Sequence, residues 1–156
     1  MKSHYRAVVI GGGVVGASAL YHLAKMGWND VVLVEKIEYT SGSTWHAAGL
    51  LPLFNMSYSV GKIHKYSVDL YQSLEEETGQ HVSFHKTGNL RLARNQERMD
   101  EYKRYCGTAS TIGVPFEMIG PAEIKKLWPF AKVDDLVGAL FHPDDGHVAP
   151  VDVTMA

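Results

Sequence analysis

Three glycines near the start of the chain have the spacing of a phosphate-binding turn. Gly11, Gly13 and Gly16 form a G-x-G-x-x-G pattern directly after the apolar run from Ala7 to Ile10. In such a turn the first glycine permits a tight bend, the second lets the backbone approach a pyrophosphate, and the third lets helix and strand pack closely. The N–H groups at the start of the helix bind the phosphate charge. The pattern predicts a dinucleotide site rather than a glycine turn without a ligand.

An acidic residue stands where a bound dinucleotide needs one. Glu35 lies 19 residues after Gly16, at the end of a second apolar run from Val31 to Val34. A carboxylate at this position accepts hydrogen bonds from the ribose hydroxyl groups of adenosine. Because an acid also repels a 2′-phosphate, NADP is disfavoured. FAD and NAD both remain, and the glycine pattern does not separate them.

The other candidate residues do not predict a metal site. His142 and His147 flank Pro-Asp-Asp-Gly, but zinc needs three or four nitrogen or sulfur donors and harder ions need several oxygens. Cys106, the one cysteine, can form neither an internal disulfide nor a zinc site alone. Its place on a predicted helix indicates a small buried apolar side chain. The histidines expected at the surface or in polar clusters are His64, His81 and His85.

The elements around the glycines are those that would position a phosphate-binding turn. The β-branched run before them is typical of a parallel strand buried on both faces. After them, four apolar residues recur at helical spacing, and Gly27 follows at the place of a C-cap glycine; these four are Ala17, Leu20, Leu23 and Ala24. Strand, turn, helix and strand within about 30 residues make a βαβ unit, whose crossover should be right-handed.

The rest of the chain mixes shorter strands and helices. The pattern predicts helices over 62–78, 96–112 and from Pro121, strands over 82–85, 89–93 and 136–141, and a helix N-cap at Ser43 or Thr44. The fold class is therefore α/β: a Rossmann-like βαβ unit with part of an α+β substrate domain. We expect the first part of the dinucleotide-binding domain in 1–80, the start of the substrate domain in 81–149, and a truncated helix in 150–156. Because two parallel strands do not complete such a sheet, an incomplete N-terminal fragment is expected.

Composition excludes several classes of protein. Of 156 residues, 46% are apolar and 21% are charged, and the formal net charge is −2. This balance lacks the basic footprint of a nucleic-acid binder, and no apolar run approaches the ~18 residues that indicate a membrane span. The few residues before the first strand leave no room for a signal peptide. Together with the single cysteine, these features predict a cytoplasmic globular protein that binds neither nucleic acid nor membrane.

Two unusual segments give the sequence a family resemblance. They are GSTWHAAGL at 42–50 and LEEETGQ at 74–80, and five further matches are VVIGGGVVG (8–16), YHLAKMG (21–27), DVVLVEK (30–36), GNLRLA (88–93) and HPDDGHVAP (142–150). Over nearly its whole length the chain resembles the dimethylglycine and sarcosine dehydrogenases, flavoenzymes of the D-amino-acid-oxidase-like superfamily. The resemblance implies an FAD-binding βαβ unit, and therefore FAD rather than NAD.

The resemblance also implies roles for individual residues. Val14 and Val15 would lie against the FAD pyrophosphate, and Glu35 and Lys36 would hold the adenosine end. The residues that would line the flavin are Gly42, Ser43, Thr44, Trp45, His46, Ala47, Ala48, Gly49 and Leu50. In this family the histidine of the WHAAG motif bonds covalently to the flavin 8α-methyl carbon, which would be His46 here. A neutral imidazole nitrogen is a suitable nucleophile for that bond.

The activity that the resemblance implies is oxidation of an N-methyl amine such as dimethylglycine or sarcosine. Hydride would pass to flavin N5, and the iminium would release formaldehyde or be trapped by tetrahydrofolate, the latter only if a C-terminal folate domain exists. The electron acceptor would be an electron-transfer flavoprotein or oxygen, and the catalytic base is unknown. The stretch 51–56, LPLFNM, departs from the dimethylglycine pattern and leaves the amine open. The alternative is a non-catalytic relative, like the regulatory subunit of pyruvate dehydrogenase phosphatase.

Overall fold

The computed structural model describes residues 2–156. In chain order the elements are β1 (Ala7–Ile10), α1 (Val14–Lys25), β2 (Val31–Val34), β3 (Leu50–Leu51), α2 (Tyr58–Thr78), β4 (His85–Lys86), β5 (Asn89–Ala93), α3 (Gln96–Thr111), β6 (Glu117–Ile119), α4 (Pro121–Leu127), β7 (Gly138–His142), β8 (Gly146–His147) and α5 (Pro150–Met155). The mixed order of helices and strands agrees with the predicted fold class.

The βαβ unit forms as predicted. Strands β1 and β2 are parallel, with Ala7 opposite Val31 and Ile10 opposite Val34, and α1 packs on both strands. Helix α1 ends in a Schellman motif, because Gly27 N–H donates to Ala24 O and Trp28 N–H to Leu23 O. This motif needs a left-handed residue after the C-cap, and Gly27 supplies it with φ +83°.

The middle of the chain has strand pairings that the sequence pattern does not predict. Strands β4 and β5 are neighbours in sequence but do not pair with each other, because β4 pairs with β8 and β5 pairs with β7. The antiparallel sheet β5-β7-β6 includes β6, which the sequence pattern did not predict. Helix α2 also begins earlier than predicted, at Tyr58 rather than Lys62. Pairings between residues far apart in sequence are set by tertiary packing and leave no local signal.

The main apolar cluster lies between α3, the β5-β7-β6 sheet and the chain around Leu53. Asn95 caps α3 by accepting Arg98 N–H at 2.9 Å. The buried members of the cluster are Leu53, Val68, Ala93, Tyr102, Tyr105, Ala109, Val114 and Leu140. Cys106 packs against this cluster on α3, as predicted, but it is half-buried rather than buried.

The chain divides into two compact units. One comprises the chain up to Gly49 together with Ser73–Ser83 and Val148–Ala156, and the other comprises Leu50–Gln72 and Phe84–His147. Each unit is therefore built from separate stretches of sequence. The division into domains at 1–80, 81–149 and 150–156 stays a prediction. Among the described residues, no helix is both long enough and apolar enough to cross a membrane.

Candidate functional site

Side chains would not fit at several positions of the glycine turn between β1 and α1. Gly11 has φ +108°, and its N–H donates to Val34 O at 2.8 Å, which ties the turn to β2. A Cβ at Gly16 would overlap the Gly11 carbonyl oxygen, and a Cβ at Gly13 would lie 3.0 Å from Thr44 Oγ1. The three positions of the G-x-G-x-x-G pattern therefore each have a steric reason to be glycine.

Glu35 is fixed beside this turn by backbone donors. Its Oε2 accepts Gly12 N–H at 2.7 Å, and its Oε1 accepts the N–H groups of Lys36 and Ile37 at 2.7 and 3.0 Å. These hydrogen bonds, the one from Gly12 above all, hold the pKa of the Glu35 carboxyl below its ordinary value. The group is thus an anionic acceptor, as hydrogen bonding to ribose hydroxyl groups requires.

Gly12 is a site residue that the sequence analysis missed. It is buried, and a Cβ there would overlap the Tyr39 ring and lie 3.2 Å from Glu35 Cβ. Its carbonyl oxygen also accepts Thr40 N–H at 2.9 Å. Gly12 therefore links the glycine turn to Glu35 and to the chain after β2. The run Gly11-Gly12-Gly13 was the sequence signal for this role, because the G-x-G-x-x-G pattern does not require a glycine at its second position.

Thr44 caps a helix, although a different one from the helix that was predicted. Residues 39–46 form consecutive turns rather than a helix, so the predicted N-cap at Ser43 or Thr44 is wrong for a local helix. Instead, the buried Thr44 hydroxyl oxygen accepts Val14 N–H at 2.9 Å. The first N–H groups of a helix have no acceptor within it. The N-cap residue Gly13 has no side chain to provide one, so Thr44 provides it from 30 residues away.

His46 lies on the surface of the turn segment with one ring nitrogen engaged. Its Nδ1 is 3.0 Å from Gly42 O. Because a carbonyl oxygen only accepts, this hydrogen bond requires the proton on Nδ1 and leaves the lone pair on Nε2. The side chain is exposed. In the neutral form of the ring, Nε2 is therefore the nitrogen of His46 that offers a lone pair.

The end of the turn segment is closed by Gly49. Its φ is +72°, and a Cβ there would overlap the Val148 carbonyl oxygen. Val148 N–H in turn donates to Gly49 O at 2.9 Å. Leu50 follows in β3 with 68% of its surface exposed. A close backbone approach therefore fixes the segment at this end, and only glycine permits it.

The predicted site residues other than Gly49 fall into two groups. Those of the first group form the glycine turn or contact it: Gly11, Gly13, Val14, Gly16, Glu35 and Thr44. Exposed surface is shared by the other group: Val15, Lys36, Gly42, Ser43, Trp45, His46, Ala47, Ala48 and Leu50. The second group has the exposure that a bound ligand would need.

A cleft beside Glu35 adds residues that the sequence analysis did not predict. Its volume is about 730 Å³, and Val151 and Met155 of α5 line it together with residues 33–35 and 37–40. The apolar and acidic lining suits an aromatic group that also has hydroxyl donors. Within residues 2–156, no three His, Cys, Asp or Glu side chains converge on a possible metal position.

These residues fit the pyrophosphate and adenosine of a dinucleotide. The turn offers N–H donors at the start of an α-helix, and because its glycines have no side chains, a ligand can approach the backbone closely. Comparison with known proteins identifies the dinucleotide. The model of the FAD dependent oxidoreductase family matches residues 6–156. The chain belongs to the FAD dependent oxidoreductase family. The glycine pattern left FAD and NAD open, and membership of this family decides for FAD.

The relatives of this family member include the expected dehydrogenases. It is 47% identical over 155 residues to the mitochondrial dimethylglycine dehydrogenase of Rattus norvegicus and 43% identical over 151 residues to the mitochondrial sarcosine dehydrogenase of Homo sapiens. It is also 40% identical over 156 residues to the mitochondrial pyruvate dehydrogenase phosphatase regulatory subunit of Mus musculus. These matches cover 99%, 96% and 100% of the chain, but 18%, 16% and 18% of the relatives. The predicted family resemblance is confirmed.

A solved structure supports the fold of this family member independently. The chain is similar to the crystal structure of L-proline dehydrogenase from P. horikoshii, with a TM-score of 0.91 and 32% sequence identity. The match covers 99% of the chain and 41% of that structure. This similarity agrees with membership of the FAD dependent oxidoreductase family, and it includes the βαβ unit that the sequence predicted.

Proposed function

We propose that the protein containing this chain oxidatively demethylates an N-methyl amine such as dimethylglycine or sarcosine, with FAD as its cofactor. The observation that supports this best is the 47% identity to a dimethylglycine dehydrogenase across 99% of the chain. The bonded glycine turn and the anionic Glu35 are consistent with it, because both are needed to hold a dinucleotide.

The binding role divides among the residues already described. The N–H groups at the start of α1, that of Val15 among them, would face the FAD pyrophosphate, and Glu35 with Lys36 would hold the adenosine end. Val14 would lie against the pyrophosphate without donating to it, because its N–H donates to Thr44 Oγ1. The segment from Gly42 to Leu50 would line the flavin. Its backbone forms turns, and all of its residues except Thr44 and Gly49 are exposed, which is consistent with such a role.

The chemistry divides between cofactor and protein. FAD, when bound, supplies the acceptor for the hydride that leaves the N-methyl carbon. The oxidised amine then releases formaldehyde in water, or passes its carbon to tetrahydrofolate if a folate-binding domain is present. An electron-transfer flavoprotein or oxygen would take the electrons. The role of this chain is to hold and orient the cofactor, and we assign no catalytic base within residues 2–156.

His46 is proposed as the covalent attachment point of FAD. The hydrogen bond from Nδ1 to Gly42 O leaves Nε2 with the lone pair, so Nε2 is the nitrogen expected to bond to the 8α-carbon. Attachment would replace one C–H bond of the methyl group by an N–C bond, with loss of one proton from the methyl carbon and one from the imidazole. The two electrons set free would pass to the flavin and from it to oxygen or to the electron acceptor.

A non-catalytic regulatory subunit is the second candidate. The 40% identity to the pyruvate dehydrogenase phosphatase regulatory subunit supports it. We favour the enzyme because the chain keeps both the complete glycine turn and an exposed His46 with a free nitrogen.

The cytoplasm remains the proposed location, which fractionation of cells that express the tagged whole protein would test.

Anaerobic titration of the whole protein with amines separates the two candidates. We expect dimethylglycine or sarcosine to bleach the visible absorbance of the bound flavin, whereas glycine, which lacks an N-methyl group, should leave it unchanged. Gly16→Ala, which cannot form the turn, serves as the control that carries no flavin. If no amine in a broad panel bleaches the flavin, the enzyme proposal fails and the regulatory candidate is favoured.

A further inference from the structure

Two histidines from distant stretches of the chain meet across a short sheet. His85 in β4 lies directly opposite His147 in β8, and the two strands are antiparallel. Their imidazole rings are 5.0 Å apart, centroid to centroid, with 33° between the ring planes. Both residues belong to the same compact unit, the one that comprises Leu50–Gln72 and Phe84–His147. The pair is therefore a feature of a single folded unit.

The backbone that carries the two rings is fixed. A Cβ at Gly146, which precedes His147, would overlap the His85 carbonyl oxygen, so only glycine lets the strands come this close. At the next position of β4, Lys86 forms an ion pair with Asp144, which also compensates its charge. Residues directly opposite each other in an antiparallel pair project from the same face of the sheet. The close strands therefore keep the two imidazoles side by side.

The ring nitrogens of this pair are free to bind a ligand. Among residues 2–156, neither ring makes a hydrogen bond or an ion pair. His85 is exposed and His147 is half-buried, so solvent reaches the pair. His142, which the sequence places closer to His147, is instead buried, and its Nδ1–H donates to Pro115 O at 3.0 Å. The histidine that accompanies His147 is therefore His85.

The separation of the rings suits a single divalent transition-metal ion. Neutral imidazole is the commonest metal ligand in proteins, and it binds Zn²⁺, Ni²⁺ and Cu²⁺. Two imidazoles on one tetrahedral ion, at about 2.0–2.1 Å for each Zn–N bond, have their ring centroids about 5 Å apart. The separation of 5.0 Å between His85 and His147 matches this value. Rotation about the broad Cβ–Cγ torsion of each side chain would turn one nitrogen of each ring toward the ion.

We propose that His85 and His147 form a metal-binding site that holds one divalent transition-metal ion, Zn²⁺ or a chemically similar ion, across β4 and β8. Structural zinc sites use four protein ligands and catalytic sites use three. A site with two protein ligands leaves the other positions to water, so the ion is exchangeable. It would tie β4 to β8 in the sheet β3-β8-β4, whose strands have two residues each. The proposal does not depend on the proposed function.

Chemical modification of histidines in the whole flavin-loaded protein tests this site. Diethyl pyrocarbonate acylates imidazole nitrogens that are accessible and unbound, and peptide mass spectrometry measures the extent at each histidine. After a chelator has removed bound metals, we expect a single Zn²⁺ midpoint for protection of His85 and His147. At about ten times that concentration, modification of both should fall about tenfold, because only the free site reacts. His4, an exposed histidine elsewhere, is the control and should react equally with and without Zn²⁺.

The His85→Gln variant distinguishes a pair from two independent histidines. Glutamine keeps a polar side chain at an exposed strand position and removes the imidazole. We expect the Zn²⁺ midpoint for protection of His147 to rise at least about tenfold, because loss of even an outer-shell partner costs about 10–100-fold in metal affinity. The matched control is His81→Gln, at another exposed histidine, which should leave the midpoint for His147 unchanged.

Three results would overturn the proposal: no protection in the wild type up to about 1 mM Zn²⁺, separate midpoints for His85 and His147, or an unchanged midpoint for His147 in His85→Gln. Should that variant not fold, the wild-type comparison decides alone, because one shared ion requires one midpoint. If the protein oxidises no N-methyl amine, the proposed function falls, while the Zn²⁺ titration still decides whether the two histidines share an ion.

Discussion

His46 has one ring nitrogen bonded to Gly42 O and one that is free and exposed, and this makes covalent attachment testable at a single residue. We predict that flavin stays with the whole protein after acid precipitation and that a tryptic peptide containing His46 has the added mass of FAD. Flavin held only by the folded turn would leave on unfolding, whereas a covalent bond survives it.

The His46→Ala variant should release all its flavin into the acid supernatant and still bind FAD before denaturation, because the glycine turn is untouched. His81→Ala, another exposed histidine, is the matched control and should behave as the wild type. Flavin entirely in the supernatant of the wild-type protein would remove the covalent role and leave His46 as a flavin-contacting residue.

Asp145 gives a prediction about pH at the same scale. Burial, its largest influence, raises the pKa of this carboxyl to about 6. Between a pH near 4, the ordinary pKa of the group, and a pH of about 6, Asp145 in the folded state therefore holds a proton that it has lost in the unfolded state. Its contribution to stability is greatest at the acidic end of this window and is lost as the pH rises through about 6. Asp145→Asn cannot ionise, so the Tm of the variant minus that of the wild type should grow from pH 4 to 7.

The Tm of the variant must be compared with that of the wild type at each pH, because another buried group changes the stability with pH in the opposite direction. Burial lowers the pKa of His142, so protonation of this histidine on unfolding destabilises the protein as the pH falls. That contribution is common to wild type and variant and cancels in the difference. A Tm difference that is constant across the range would show that folding does not raise the pKa of Asp145.

At the scale of elements, helix α1 depends on a cap from another part of the chain. Thr44 Oγ1 accepts Val14 N–H, and no capping side chain is available at Gly13. We predict that Thr44→Val, which keeps the shape and removes the acceptor, lowers the free energy of unfolding by about 1 kcal/mol and weakens FAD binding. Thr44→Ser keeps the acceptor and should retain both. Equal losses in Val and Ser variants, measured by denaturant titration and FAD binding, would contradict the capping role.

The packing of α1 against β1 gives a second prediction for this element. A Cβ at Gly16 would overlap the Gly11 carbonyl oxygen, which is backbone and cannot move aside. We therefore expect Gly16→Ala to abolish FAD binding and to destabilise the βαβ unit. The matched control is Gly107→Ala in α3, where a Cβ meets nothing within 4 Å. This change should leave FAD binding unaffected and stabilise the helix by up to about 1 kcal/mol. Retained FAD binding in Gly16→Ala would disprove the steric argument.

At the scale of the whole molecule, one face of the parallel sheet lacks a covering element among residues 2–156. Val8 is 52% exposed and Ile10 is 85% exposed, because α1 packs on the alternate side chains of β1. An apolar patch of this kind drives association. We predict that residues 1–156 expressed alone will be oligomeric or poorly soluble and will bind FAD weakly. Size-exclusion chromatography with light scattering tests this, and a monodisperse, cooperatively melting, flavin-bound product would contradict it.

Local sequence was sufficient to determine the βαβ unit. Its strands, helix and turn are consecutive, so the apolar run at Ala7, the helical spacing after Gly16 and the stop at Gly27 each act within a few residues. Glu35 was predictable for the same reason, because the length of one βαβ unit fixes its distance from the glycines. The family resemblance followed from the segment GSTWHAAGL, and membership of the family is confirmed.

Only the tertiary structure decided which distant residues meet. Thr44 caps α1 across 30 residues, Asp145 holds Leu53 across 92, and β4 pairs with β8 rather than β5. No periodicity records such contacts, because a hydrogen bond between distant residues requires only a polar side chain in each stretch, and many stretches have one. The sequence by itself therefore predicted a dinucleotide site and, through the family resemblance, FAD, while the folded chain decided which distant side chains and strands contact one another.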